Sequence, residues 1–115
     1  FNQFEKYFIL PKYIPEADPS WFGFLLTIKD GAGFSRTELI KFLNGKKIGT
    51  RLLFAGNITK QPYFVNNNYN FKIEGELKNT DFIMNNTFWV GVYPGLTDEM
   101  LNYVVASFRE FLSKY

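Results

Sequence analysis

Arg51 is the residue of this sequence that most needs a chemical explanation. It stands inside an otherwise apolar run, Ile48 to Phe54, and a guanidinium buried without an anionic or carbonyl partner is costly. Downstream, Asn57, Thr59 and Gln61 put amide and hydroxyl groups on the loop that ends the run. Uncharged hydrogen-bonding groups beside an arginine suit a polar, phosphorylated or glycosidic ligand. The alternative is an arginine paired with a structural carboxylate, next to a loop that hydrogen-bonds itself. The residues alone favour neither.

Other candidate chemistry is thinner. Gly31-x-Gly33 ahead of a helix start could gather backbone N–H groups around a phosphate. No third glycine and no βαβ continuation follow, so a turn plus a helix cap is the better reading. Asp98-Glu99 complements a helix dipole rather than forming an acid–base pair. Lys12, Lys46 and Lys47 are expected to be solvated. The sequence has no histidine and no cysteine. Imidazole–metal, thiolate and Fe–S chemistry and Ser-His or Cys-His pairs are therefore excluded within these residues. No catalytic residue and no metal ligand is expected.

The elements that must position Arg51 follow from the pattern of the whole chain. Its 115 residues are one-domain length, and 46% are hydrophobic and 20% aromatic, too much apolar surface for a disordered chain. A net charge of +2 with scattered Lys and Arg does not favour nucleic acid. No apolar run approaches the ~20 residues of a membrane span, and no basic region leads into an apolar start. A cytoplasmic setting is expected, so the sequons at Asn57 and Asn85 are read as unglycosylated.

Phe1, Phe4 and Phe8 share a helical face without a cap ahead of them, and residues 1–8 read as the last turns of a longer helix. Pro11, Pro15 and Pro19 mark an irregular crossing. Trp21 to Lys29 is apolar on both alternating sets, a strand covered on both faces. Ser35 and Glu38 have capping-box spacing, Leu39, Ile40 and Leu43 give that helix its core stripe, and Gly45 ends it. Ile48 to Phe54 is a second strand, followed by a long polar loop to Asn70 of the kind that is often functional. Tyr69 to Leu77 is ambiguous. Asn79-Thr80-Asp81 opens a short helix ending near Asn85 or Asn86, and Phe88 to Tyr93 is a third strand. Thr97 caps a last helix in which Leu101, Val104, Val105, Phe108, Phe111 and Leu112 form one stripe, expected to be core. The class is α+β: a small, mostly antiparallel sheet of two to four strands with helices on one face.

Asp18-Pro19-Ser20-Trp21-Phe22-Gly23-Phe24, Gly33-Phe34-Ser35-Arg36, Thr50 to Asn57, Asn79-Thr80-Asp81 and Phe88 to Thr97 together resemble one branch of a family. The branch is the CDP-4-keto-6-deoxyglucose 3-dehydrase group of lipopolysaccharide biosynthesis, within the DegT-type sugar aminotransferases of fold-type-I pyridoxal-phosphate architecture. The resemblance covers nearly the whole chain, in order. It implies a parent that removes the 3-hydroxyl of a CDP-linked 4-keto-6-deoxyhexose on the way to O-antigen dideoxysugars. The implied cofactors are pyridoxamine or pyridoxal phosphate and a [2Fe-2S] cluster, with a partner reductase supplying electrons to a homodimeric enzyme. Both groups would be held by a large domain absent from this chain, and residues 1–115 would be the small C-terminal domain closing over the cleft.

The same resemblance implies that Phe22, where the aminotransferases tend to carry histidine, faces the cofactor. It puts Arg51, Asn57 and Gln61 in the block lining the sugar-nucleotide cleft. One position departs from the branch: Phe82 stands where a basic residue is expected. Two other readings stay open, the matching domain of an ordinary sugar aminotransferase and a stand-alone ferredoxin-like binding module.

Overall fold

The structure is a computed structural model describing residues 1–115. Four strands form one antiparallel sheet in the order β1-β2-β4-β3: β1 Phe8–Ile9, β2 Gly23–Ile28, β3 Thr50–Leu52 and β4 Thr87–Gly91. β4 is central, pairing Phe24 with Val90 and Leu26 with Phe88 on one side, and Thr50 with Val90 and Leu52 with Phe88 on the other. Because alternate residues point to opposite faces, Phe8, Leu26, Ile28, Phe88 and Val90 share one face. That face is buried beneath α1 Arg36–Gly45 and α4 Asp98–Leu112, which contribute Leu39, Leu43, Phe108, Phe111 and Leu112. The α+β class with a helix-covered antiparallel sheet stands as expected.

Local signals account for the helix starts. Ser35 Oγ accepts from the Glu38 N–H at 3.2 Å and the Glu38 carboxylate accepts from the Ser35 N–H at 2.7 Å, a complete capping box. The Ser35 hydroxyl first and the Ser35 N–H second, both donating to the Glu38 carboxylate, hold that carboxyl below its ordinary range. Thr97 caps α4 by accepting from the Met100 N–H. Arg36 donates to the carbonyls of Met84 and Thr87, tying the start of α1 to the end of α3 Lys78–Asn86, where a cation opposes the negative end of the helix dipole. No helix is long and apolar enough to cross a membrane.

Several expectations need correction. Residues 1–8 do not end as α-helix: one 3₁₀ turn, Asn2–Phe4, leads into β1, where Phe8 pairs with Ile28. Strand pairing satisfies the backbone there while keeping Phe4 and Phe8 buried, so helical spacing and edge pairing bury the same side chains. The second strand is only Thr50–Leu52, bracketed by left-handed backbone at Lys47 and Phe54. The long loop contains a 3₁₀ turn, Ile58–Lys60, and α2 Pro62–Asn66. α3 starts at Lys78 without a side-chain cap. The α4 stripe is also split: Phe108, Phe111 and Leu112 are core, Val104 and Val105 are half-buried, and Leu101 is 47% exposed.

Candidate functional site

The face of the sheet opposite α1 and α4 carries Leu25, Trp89 and Arg51 side by side, since cross-strand partners project to the same side. Gly23 makes the placement of Trp89 possible: a Cβ there would lie 2.2 Å from Trp89 Cε3. The indole therefore rests on the β2 backbone. Phe22, one residue ahead of β2, leans its ring on the same indole at 5.1 Å between centroids while remaining 74% exposed. Arg51 is exposed and donates to the Thr50 carbonyl at 3.0 Å. The structure thus brings Phe22 and Arg51 to one surface, on either side of Trp89.

Asn57 and Gln61 belong to a second feature, the turn that follows β3. Phe54 and Gly56 both adopt positive φ, and a Cβ on Gly56 would lie 2.5 Å from Met84 Cγ; only glycine permits this approach of the loop to α3. Asn57 is buried. Its amide donates to Asp81 Oδ1 at 2.8 Å, and its carbonyl oxygen accepts from the Thr59 N–H at 3.1 Å and the Thr59 hydroxyl at 2.7 Å. Lys60 binds the other Asp81 oxygen at 2.8 Å. These contacts, Lys60 first and Asn57 second, depress the Asp81 carboxyl. Gln61 donates to the Ala55 carbonyl, closing the loop on itself. Beyond it, Tyr63, Phe64, Tyr69 and Phe71 stack on one another. A cavity of about 320 Å³ lies between the turn and the returning chain, lined by Asn57, Ile58, Phe71, Leu77 and Thr80 among others.

Two residues of this region escaped the sequence reading. Trp89 sat in a segment read simply as a third strand, and only Gly23 on the neighbouring strand could have hinted at a ring lying across the backbone. Asp81 sat in a block read as a helix start, 24 residues from the asparagine it holds. Phe82, the departure from the branch, is half-buried, and its carbonyl accepts from the Asn86 amide.

The sequence profile of the DegT/DnrJ/EryC1/StrS aminotransferase family matches residues 3–109. The chain belongs to this family. It is 60% identical over 102 residues to the lipopolysaccharide biosynthesis protein RfbH of Salmonella typhimurium, covering 89% of this chain and 23% of that protein. It is 53% identical over 106 residues to the dTDP-4-dehydro-2,6-dideoxy-D-glucose 3-dehydratase of Saccharopolyspora spinosa, covering 92% and 22%. The chain therefore spans less than a quarter of the length of these relatives. The fold also matches a GDP-4-keto-6-deoxymannose-3-dehydratase mutant crystallised with GDP-perosamine, with a TM-score of 0.78 at 22% identity over 92% of this chain and 27% of that one.

The Escherichia coli GDP-4-keto-6-deoxy-D-mannose-3-dehydratase, a further fold match (TM-score 0.73, 21% identity, 92% of this chain and 26% of that one), was solved with hydrated pyridoxal phosphate. The residues present here do not by themselves make a cradle for that group. In the one Gly-x-Gly turn ahead of a helix, the Glu38 carboxylate takes the Ser35 N–H and hydroxyl that an anion would need. What this family member offers is an aromatic wall, Phe22 on Trp89, beside a cation.

Proposed function

We propose that this chain is the C-terminal, substrate-closing domain of a nucleotide-sugar 3-dehydratase that acts on a CDP-linked 4-keto-6-deoxyhexose in lipopolysaccharide dideoxysugar biosynthesis. The observation that carries the reading is the 60% identity to the Salmonella lipopolysaccharide biosynthesis protein across most of the chain. The 3-dehydratase relatives support the reaction class and differ in nucleotide, dTDP in one and GDP in another. CDP rests on the motif resemblance.

In this reading the rest of the parent holds pyridoxamine phosphate and a [2Fe-2S] cluster, and a reductase supplies electrons. The bound cofactor provides the carbanion stabilisation needed to lose a hydroxyl beside a keto group. This domain closes the cleft and excludes water. Phe22 presents an apolar wall on the cofactor side, oriented by Trp89. Arg51 offers a forked donor to a phosphate or sugar oxygen, and Gln61 lies on the adjoining loop. Asn57 contributes by fixing the shape of that loop from inside. The parent would be a cytoplasmic homodimer.

The test is to incubate the parent enzyme with pyridoxamine phosphate, an iron–sulfur reductase and CDP-4-keto-6-deoxyglucose. Loss of the 3-hydroxyl is expected, and residues 1–115 alone should be silent. The family's aminotransferase members supply the competing reading. An aminated sugar formed from glutamate, with the 3-hydroxyl kept, would establish it instead.

A further inference from the structure

Two residues other than glycine adopt left-handed backbone in this chain, Lys47 and Phe54, at φ 63° and 23°. Lys47 has a local reason. It follows the last turn of α1, where its N–H donates to the Asn44 carbonyl at 3.0 Å and the Ile48 N–H donates to the Leu43 carbonyl at 2.9 Å, the usual way in which a helix closes. Phe54 has no helix to close. It lies two residues beyond β3, and at 79% its exposure is the highest of any large apolar side chain of the molecule. A bulky residue at positive φ persists only where its surroundings over-determine the backbone. Here they do. Ahead of it, Leu52 is paired with Phe88. After it, Gly56 is pressed against Met84, buried Asn57 is bonded to Asp81, and Gln61 closes on the Ala55 carbonyl. The ring itself joins neither the core nor the partly buried layer around it, so the turn holds a phenyl group out in water against both its backbone preference and its hydrophobicity.

We infer that Phe54 is a specificity-determining residue for the sugar, its ring forming the apolar contact for the 6-methyl group of a nucleotide-linked 6-deoxyhexose. The inference rests on the reading of this chain as the closing domain of a nucleotide-sugar enzyme, and it adds to that reading the group that the domain recognises. Two observations select the methyl. The substrates named for the dTDP and GDP relatives differ in nucleotide and share a 6-deoxy sugar. The base is thus the variable part and the methyl the constant apolar one. Phe54 also stands in the turn between Arg51 and Gln61, the donors assigned to phosphate or sugar oxygens. One aromatic ring beside a few polar groups is the make-up of a site that fixes a small polar ligand by its single apolar substituent. A 6-hydroxyl brought against the same ring would lose water and gain no partner, which is how the ring would tell the two sugars apart.

The experiment measures binding and melting temperature in the parent enzyme, and neither depends on turnover. The parent is titrated calorimetrically with CDP-6-deoxy-D-glucose and with CDP-D-glucose, which lack the keto group and so do not react, and the pair is repeated with dTDP and GDP as the nucleotide. The parent should bind the 6-deoxy member of its accepted pair ~10-fold more tightly or better, the discrimination of one apolar group in a fitted site. Phe54→Gly should bring the two affinities to within ~2-fold, with a melting temperature unchanged or raised, because glycine takes positive φ freely. Phe54→Leu, which keeps an apolar side chain, should retain most of the preference. A parent without the preference, or Phe54→Gly with the preference intact, overturns the proposal. A preference lost together with melting temperature, or lost equally in Phe54→Leu, assigns the effect to the shape of the turn and also overturns it. Failure of all three pairs to bind would remove the nucleotide-sugar reading and this inference with it. A parent that proves to be an aminotransferase leaves the binding result standing.

Discussion

Phe8, Phe88 and Phe108 are sealed between the sheet and α4, whereas Tyr63, Tyr69 and Phe71, with Phe64, stack on one another in the 54–77 segment and stay 64, 42 and 46% exposed. The residue types are alike and the surroundings are not. In the first region the rings cover a hydrogen-bonded sheet, so every neighbour is apolar or already paired. In the second they sit on short helical turns and irregular chain, and what holds the segment to the domain is polar: Asn57, Asp81 and Lys60. Aromatic content alone therefore does not distinguish a core from a surface cluster. The backbone beneath it decides, and the two regions should respond differently to damage.

The largest difference is expected on removing a ring. Phe108→Ala should cost ~3–5 kcal/mol, the range for a buried phenylalanine that leaves a cavity. Phe71→Ala in the exposed cluster should cost ~1 kcal/mol or less. Urea unfolding of both variants checks the contrast, and equal losses would mean that the 54–77 cluster is a second core. Next in size is the polar anchor. Asn57→Ala leaves the Thr59 N–H and the Asp81 carboxylate without their partner, a loss of ~1–3 kcal/mol. Amide exchange should rise in residues 54–77 and stay unchanged in β2 and β4.

The contrast also tracks what was legible in the sequence. Contacts between near neighbours were readable: the Ser35–Glu38 box, the Thr97 cap and the alternation of β2 depend on residues within a few positions of one another. What escaped depends on distant partners. Leu101 belongs to a faultless apolar stripe, yet periodicity reports which residues share a face and not whether anything covers them. Phe1, Phe4 and Phe8 fit a helix by spacing, but Phe8 is claimed by pairing with Ile28, twenty residues on. Arg51 and Phe22 were singled out from strand position and motif, while Trp89, which relates them in space, looked like any strand aromatic.

A smaller effect concerns acid. Lys60 and Asn57 hold the Asp81 carboxyl below its ordinary 3.8. A carboxyl depressed in the folded state stabilises the fold above its unfolded pKa, and that contribution is lost as pH falls through the folded value. Lowering the pH from about 5 to below the ordinary Asp range should therefore loosen the 54–77 segment before the sheet. Asp81→Asn should flatten this dependence in a plot of melting temperature against pH. An unchanged slope would mean that the ion pair does not organise the segment.

The smallest effect on stability is expected at Arg51, and it bears most directly on function. Its guanidinium is exposed, joins no carboxylate among the ion pairs of the structure, and donates to the Thr50 carbonyl beside it. The structural reading, an arginine paired with a structural carboxylate, thus finds no partner here, and the fold gains little from the side chain. Arg51→Lys should change stability by no more than ~0.5 kcal/mol. Lysine keeps the charge but cannot copy the planar fork that grips a phosphate or a pair of sugar oxygens. If Arg51 meets substrate when the domain closes, the same variant in the parent should lower kcat/KM by ~10-fold or more, the effect of one charged hydrogen bond. The two measurements together separate the possibilities. A melting temperature that falls while kinetics hold would return Arg51 to the scaffold, and kinetics and stability both unchanged would leave the Trp89 face without its proposed cation.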